Sequence, residues 1–446
     1  MVFITIINSK FSIKLSIIKK ISLIMLIVIL SLLSSCKKNE KKSLYEDGRE
    51  ILVLAATDGD SALDNIIASF NNQSKEYYIE QRNYVLMDTG LYTGNEKLIM
   101  DITRNKKIDI LYNSNLDMEV YLNKNLLADM YVLIDEDNEV SRDTYMKGVL
   151  KAFESNGRLC SMPTFYYMQT TIGKESVWRG DRNVSIENLT KKANELNIVP
   201  IANLSKNTTK FSDIHRFAYY LKGTLNEYVD FENNTCNFTD GRFERLLNFA
   251  NMYDIENENP DELFANEKSL LHYVTINDFD DVDMYKCLFG SDIVFMGFPS
   301  DIPNYHNIRS IESFSILENS NNKHGAFEFI KYITSYDYQF EKSFGNFFPI
   351  NKKVFDKRAY FSLKEPKNTY CNEDMTVKLE YECTRDGIET IVEQFETTSS
   401  GFTYGETMSD IIAEEVGAFF SHDKSATDVC DIIQNRISNH LSENAK

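Results

Sequence analysis

Basic residues are in short supply. The chain sets 48 Lys and Arg against 67 Asp and Glu, a net charge of −19 over 446 residues. Phosphate contacts need clustered cations, so this balance argues against nucleic acid as a partner. It also disfavours anionic ligands and direct docking on anionic lipid. Cysteine is sparse. Apart from Cys36 there are Cys160, Cys236, Cys287, Cys371, Cys383 and Cys430. No pair has the two-residue spacing of a zinc or redox site. The six read either as free buried thiols or, for Cys371 and Cys383, as a short loop closure in an oxidising space. Six histidines, His215, His272, His306, His324, His422 and His440, are scattered singly and read as surface or turn residues. H-E-x-x-H, G-x-S-x-G and G-x-x-x-x-G-K are all missing, which removes the commonest metalloprotease, serine-hydrolase and P-loop signatures. The acidic run DFDDVD, Asp278 to Asp283, lacks the turn glycine and closing Glu of a calcium loop and reads as a solvated loop. There is one tryptophan against 25 Tyr and 29 Phe. Trp178 lies among charges in VWRGDRN, which places it on the surface.

What is present begins at the N-terminus. Lys14, Lys19 and Lys20 precede an apolar run from Ile21 to Leu30, and LSSC, Leu33 to Cys36, closes the tract. The run is shorter than the ~20 residues of a membrane-spanning helix. A basic region, a short apolar core and small residues make a secretory signal. The Cys behind it resembles the lipobox of bacterial lipoproteins; a plain signal anchor that contains a Cys is the alternative. The resemblance implies that residues 1–35 are removed, that Cys36 becomes the first residue and that its thiol carries a diacylglycerol. Losing four lysines and no acid takes the net charge from −19 to −23. Each buried CH₂ of an acyl chain contributes about 0.8 kcal/mol, so two or three chains hold firmly. Residues 36–45, with the polar KKNEKKS, form a solvated tether.

The remaining length fits two or three domains, and hydrophobic residues at 43% are enough to fill their cores. ILVLAA, Ile51 to Ala56, is a buried strand. Leu63, Ile66, Ile67 and Phe70 then mark one helix face. Leu98 and Ile102 predict a further helix, and IDILY, Ile108 to Tyr112, a second strand. This alternation predicts an α/β fold with parallel sheets. Late in the chain SDIVFMGF, Ser291 to Phe298, reads as a strand, and Ala326, Phe329, Ile330 and Ile333 as a helix face. Two helices follow, with stripes Ile411, Ile412, Val416, Phe419, Phe420 and Val429, Ile432, Ile433, Ile437, Leu441. ENENPDE, Glu256 to Glu262, reads as a loop.

Six segments, in order, resemble the sugar-type extracellular solute-binding proteins of ABC importers. They are IIASFNNQSKEYYIEQRNY (66–84), KLIMDITRNKKIDILYNSN (97–115), MPTFYY (162–167), MGFPS (296–300), SILENSNNKHGAFEFIKYITS (315–335) and FFPINKKVF (347–355). The resemblance implies a two-lobe periplasmic-binding-protein-like fold of type II. Each lobe is expected to be a mainly parallel sheet flanked by helices, with a hinge between them that closes on ligand. It places residues 46–153 plus 290–336 in lobe 1 and 154–289 plus 337–446 in lobe 2. It also implies a membrane permease as partner, no cofactor, no catalysis and a monomer.

Ligands of open α/β sheets lie beyond the carboxyl ends of strands. Asp58 follows the first strand and suits two hydroxyls of a polyol; the alternative is a turn residue before a helix cap. Asn113 and Asn115 follow IDILY, as amides for a hydroxyl-rich ligand or as turn amides. Tyr166, Tyr167, Phe298 and Phe347 lie in segments resembling cleft walls, where a ring packs on the apolar face of a sugar; each is otherwise a core ring. The favoured ligand is a mono- or oligosaccharide. A surface-anchored carbohydrate-active enzyme and a purely structural lipoprotein are the rival readings.

Overall fold

The structure, a computed structural model, describes residues 44–57, 59, 61–84, 94–114, 116, 118–202, 224–231, 233–252, 259–301, 305–342, 347–365, 367–371, 378–398 and 406–444. Cys36 and the polar segment behind it lie outside these. Contacts separate Met1–Ile51 from Leu52–Lys446. The described part of the first unit is a turn in which Tyr45 N donates to Arg49 O and Gly48 takes φ +89°. The second unit carries the sheets and helices.

Strand β1 (Glu50–Ala56) is buried from Leu52 to Ala56, as an unbroken apolar run requires. The helix Ser61–Gln73 turns Leu63, Ile66, Ile67 and Phe70 inward, the four residues of the predicted face. Strand β2 is Tyr77–Asn83, the helix Gly94–Thr103 buries Leu98 and Ile102, and β3 is Ile110–Tyr112. Strands β1 and β3 are parallel, with Leu54 opposite Ile110. Buried Asp109 ties them: its backbone N donates to Val53 O, and its carboxylate accepts from Val53 N (2.9 Å) and Ser320 Oγ (2.7 Å).

A small hairpin, β4 (Glu154–Ser155) and β5 (Arg158–Leu159), leads to β6 (Met162–Pro163) and the long β7 (Phe165–Lys174). Then come β8 (Val199–Ile201), β9 (Val229–Asp230), β10 (Thr235–Cys236), β11 (Ser269–Ile276), β12 (Ile293–Phe295), β13 (Asn307–Ser310), β14 (Ser313–Ile316) and β15 (Phe348–Pro349). Strands β16 (Asn368–Cys371) and β17 (Lys378–Tyr381) form a separate hairpin. The first sheet has the order β2-β1-β3-β14-β6. The second is β12-β7-β11-β8, with β13 and β15 also on β7.

Both sheets are mixed, which corrects the expectation of mainly parallel ones. Strand β14 is antiparallel to β3 and β6, and β11, β12, β13 and β15 are all antiparallel to β7. The cause is β7 itself. Strands β11 and β12, joined through the helix Asp281–Phe289, run the same way on either side of it. The βαβ rhythm visible in the sequence is real, but a strand from earlier in the chain lies between its two arms.

The chain passes between the sheets at three described places: from β6 to β7 through Thr164, from β13 to β14 through residues 311–312, and from β14 through the helices Lys323–Ile333 and Tyr336–Lys342 to β15. The second of these was expected at Gly290. Strands β12 and β13 still belong with β7, so the change of sheet comes about twenty residues later.

Four further expectations are corrected. Trp178 is 1% exposed and its Nε1 donates to Leu270 O (3.0 Å), so the indole is core beneath charged neighbours. Pro260, Asp261 and Glu262 open the helix Pro260–Ala265, because Asn259 accepts from the backbone N of Asp261 and Glu262 and proline suits a first helical position. In DFDDVD, the last three residues form the first turn of Asp281–Phe289. Asp281 is buried and accepts from Asn277 N (2.6 Å) and Asp278 N (2.8 Å); Asp283 accepts from Thr384 N and Oγ1. His272 and His306 are buried, and His440 Nε2 lies 2.8 Å from buried Glu119. Cys371 and Cys383 are free thiols, the first of the two readings given for them, with Cys371 exposed and not buried.

Candidate ligand-binding site

The three passages meet at one residue, Thr164. Thr164 N donates to Glu312 O (3.0 Å), and Thr164 O accepts from Ile350 N (3.0 Å) and Gln339 Nε2 (2.9 Å). The same Gln339 side chain accepts from Asn351 N (2.9 Å), while Asn351 Nδ2 donates to Thr334 O (2.9 Å). Gln339 and Asn351 are buried, at 0% and 3% exposure. A buried amide pair whose polar atoms are spent on backbone groups fixes those groups in place.

Strand β7 leaves this junction, and alternation sends its aromatics to opposite faces. Tyr166 is fully buried, its ring 5.0 Å from Phe395 and 5.8 Å from Phe348. Its hydroxyl is buried without a partner. Tyr166 is therefore a core ring. Tyr167, on the other face, is half-buried, and its ring lies 5.6 Å from that of Phe347 at 49°. Phe347 is also half-buried and has φ +108°, a conformation that costs a bulky L-residue free energy. Two bonds hold it there: its N donates to Asn277 O (2.7 Å), and its O accepts from Arg358 Nη1 (2.6 Å). Strain of this kind collects at functional sites. The structure thus brings together Tyr167 and Phe347 of the sequence candidates.

Phe298 does not join them. It is 1% exposed, donates from its N to Tyr305 O (2.7 Å), and packs in a second core with the helices Glu406–Phe420 and Ala426–Asn444. Gly297 before it has φ +77°, and a Cβ there would sit 2.9 Å from Tyr305 N. Asn113 stands at the end of β3. Its Nδ2 lies within reach of Ser161 Oγ (2.8 Å), Ser315 Oγ (3.0 Å) and Ser313 Oγ (3.2 Å), and its Oδ1 is buried without a partner. The amide clamps β3 to the two strands that lead into the junction. Asp58 and Asn115 lie outside the described residues.

One residue the sequence did not mark is Glu227, in the turn Leu225–Glu227. Burial pushes its carboxyl up to about 7 against bonds from Ser300 and the Asp301 backbone, and its Oε1 is buried without a partner. Desolvated carboxyls of this kind are binding-site candidates. A lone Glu between polar neighbours carries no signal that burial awaits it. Among the described residues no group of His, Cys, Asp and Glu is arranged to hold a metal, and no helix is long and apolar enough to cross a membrane.

No protein-family profile matches the chain, and no curated protein matches it in sequence. Solved structures do. The sugar-binding protein MalE from Xanthomonas citri is 11% identical, with 88% of this chain and 98% of that one covered at a TM-score of 0.52. A cyclic alpha-maltosyl-1,6-maltose binding protein from Arthrobacter globiformis (14%, 89% and 100%, TM-score 0.48) and an ABC substrate-binding protein from Listeria monocytogenes (13%, 88% and 98%, TM-score 0.45) are also similar. The fold assignment rests on the Xanthomonas protein, the one of the three above 0.5. The mixed sheets flanked by helices accordingly form the two-lobe, MalE-like periplasmic-binding-protein fold.

Proposed function

We propose that the chain is an extracytoplasmic solute-binding protein that captures a mono- or oligosaccharide between two lobes and presents it to an ABC permease. The observation that carries this reading is the half-buried pair Tyr167 and Phe347, one of them strained, within a few residues of Thr164 or of the Ile350 that bonds to it, where all three passages meet. A sugar stacked there touches rings set directly beside the pivot, so binding and bending are coupled. The Xanthomonas protein of like fold is a sugar-binding protein. Lobe 1 is built on β1, β2, β3, β6 and β14, and lobe 2 on β7, β8, β11, β12 and β13. The protein acts without catalysis or cofactor, as a monomer, held at the membrane by lipid on Cys36. Asp58 and Asn115, which follow β1 and β3 in the sequence, are proposed to supply polar contacts, and Glu227 is a further polar candidate.

The test is thermal unfolding against a carbohydrate panel, with native mass spectrometry on the purified protein. A bound, unconsumed sugar at a hundredfold excess over its Kd stabilises the fold by about 2.7 kcal/mol. Tyr167→Ala and Asp58→Ala each weaken that response while the unliganded protein stays folded. A sugar that is hydrolysed points to the enzyme instead. No response to any sugar, with none carried through purification, overturns the reading.

A further inference from the structure

The helices Tyr336–Lys342 and Lys352–Ser362 carry an aromatic and basic face that belongs to none of the hydrophobic cores among the described residues. Tyr336, Tyr360 and Phe361 are 37%, 53% and 41% exposed, and they are three of the seven exposed large apolar side chains among the described residues. They are continuous: Tyr336 stacks on Phe340 (5.5 Å, 8°), Phe340 lies 6.3 Å from Phe361, and Phe361 lies 6.1 Å from Tyr360. Lysines ring them. Lys357 Nζ sits 4.7 Å from the Phe361 ring centre, and Lys364 Nζ 5.7 Å from that of Tyr360. Lys353, Lys357, Tyr360 and Lys364 fall at i, i+4, i+7 and i+11, one stripe that continues past the helix end. Lys353, Lys357 and Lys364 are exposed, and none makes an ion pair among the described residues. Residues 336–367 hold seven Lys or Arg and four Asp or Glu in a chain of −19; Arg358 turns inward to Phe347 and Asp278 and Lys367 pairs with Glu382, so the basic character of the face is that of Lys353, Lys357 and Lys364.

We infer that this face docks on the anionic surface of a lipid bilayer, with the rings at headgroup level and the lysines on the phosphates. The chemistry separates a bilayer from a sugar. A sugar needs an open ring face, but here one face of Phe361 is taken by an ammonium group and Tyr336 and Phe340 cover each other. Ring edges beside free lysines suit the interface, where aromatics and cations gather. The charge complementarity is local and opposes the charge of the chain as a whole, so it orients the molecule without holding it. The inference rests on the tethered reading proposed for Cys36: a protein leashed to a membrane meets its surface continually, and this face decides which side it turns to it.

The test uses the full chain with Phe361→Trp, added to vesicles rich in phosphatidylglycerol whose acyl chains are brominated. Buried Trp178, at 1% exposure, is the internal control. The new indole is quenched and Trp178 is not. High salt releases it, and Lys357→Glu with Lys364→Glu shifts the docked population roughly tenfold or more at an unchanged melting temperature. Quenching no greater than that of Trp178, equal quenching in pure phosphatidylcholine, or burial of the introduced indole by lipid-free dimerisation overturns the inference. The mass of the mature N-terminal peptide reports lipid on Cys36 separately, so the tether and the docking face fail independently.

Discussion

Asp281 offers a sharp test of how the loop behind Phe347 is held. The residue is 8% exposed and its carboxyl accepts from Asn277 N and Asp278 N; Asn277 O in turn receives Phe347 N. Burial raises its pKa from 3.8 to about 7, against the two backbone bonds and with help from the charges of Asp280 and Asp278. Between about pH 4 and 7 the folded protein therefore keeps a proton that the unfolded chain has released, and stability falls as pH rises through that window. At ~1.4 kcal/mol for each tenfold change in proton affinity, the whole loss is about 4 kcal/mol, complete above pH 7. Asp281→Asn keeps an oxygen for the two amide donors and cannot ionise. Urea unfolding of both proteins across this range cancels the titrations not coupled to Asp281, including Glu227, pushed up to about 7, and His306, pushed down to about 4. The variant should gain on the parent by about 4 kcal/mol from pH 4 to pH 8. Parallel pH profiles would refute the argument that burial dominates at this carboxyl.

Three further outcomes follow from packing. Tyr166→Phe removes a buried hydroxyl with no partner and should stabilise the fold by about 1 kcal/mol in urea; a loss of that size would reveal a hidden bond. Gly173→Ala drives a Cβ into Trp178, against Nε1 and 2.5 Å from Cδ1, a clash worth ~1–3 kcal/mol. The emission of the single tryptophan reports it directly, and unchanged emission and stability would show that the indole has room to move. Tyr167→Ala should lower sugar affinity roughly tenfold or more, the loss of one stacked ring, while leaving melting of the free protein within about a degree; equal affinity would remove Tyr167 from the site.

Element type was legible wherever periodicity was strong. The helix faces at Leu63–Phe70 and Ala326–Ile333 and the buried run in β1 appear in the structure as their spacing predicts. Strand direction was not, because the period of a strand carries no record of its neighbour: β12 reads the same whether β11 or β7 lies beside it. Local composition misplaced Trp178, since charges adjacent in sequence point outward while the indole between them points in. It misread DFDDVD for the complementary reason, as Asp281 and Asp283 are satisfied by backbone donors at residues 277, 278 and 384. Among the site candidates, alternation along β7 separates Tyr166 from Tyr167, but only the register of β15 shows which face meets Phe347.

The shared residue Thr164 has a mechanical consequence. Its carbonyl is gripped twice by the third passage, through Ile350 N and Gln339 Nε2, and its amide by the second at Glu312, so no passage can flex alone. A displacement entering through one strand is transmitted to the other two at the same level, and relative movement of the sheets is confined to a single line instead of wandering among three loose straps. Gln339→Ala would remove one bond to Thr164 and the acceptor of Asn351 N, leaving the covalent path between the halves intact and its preferred direction less sharply set.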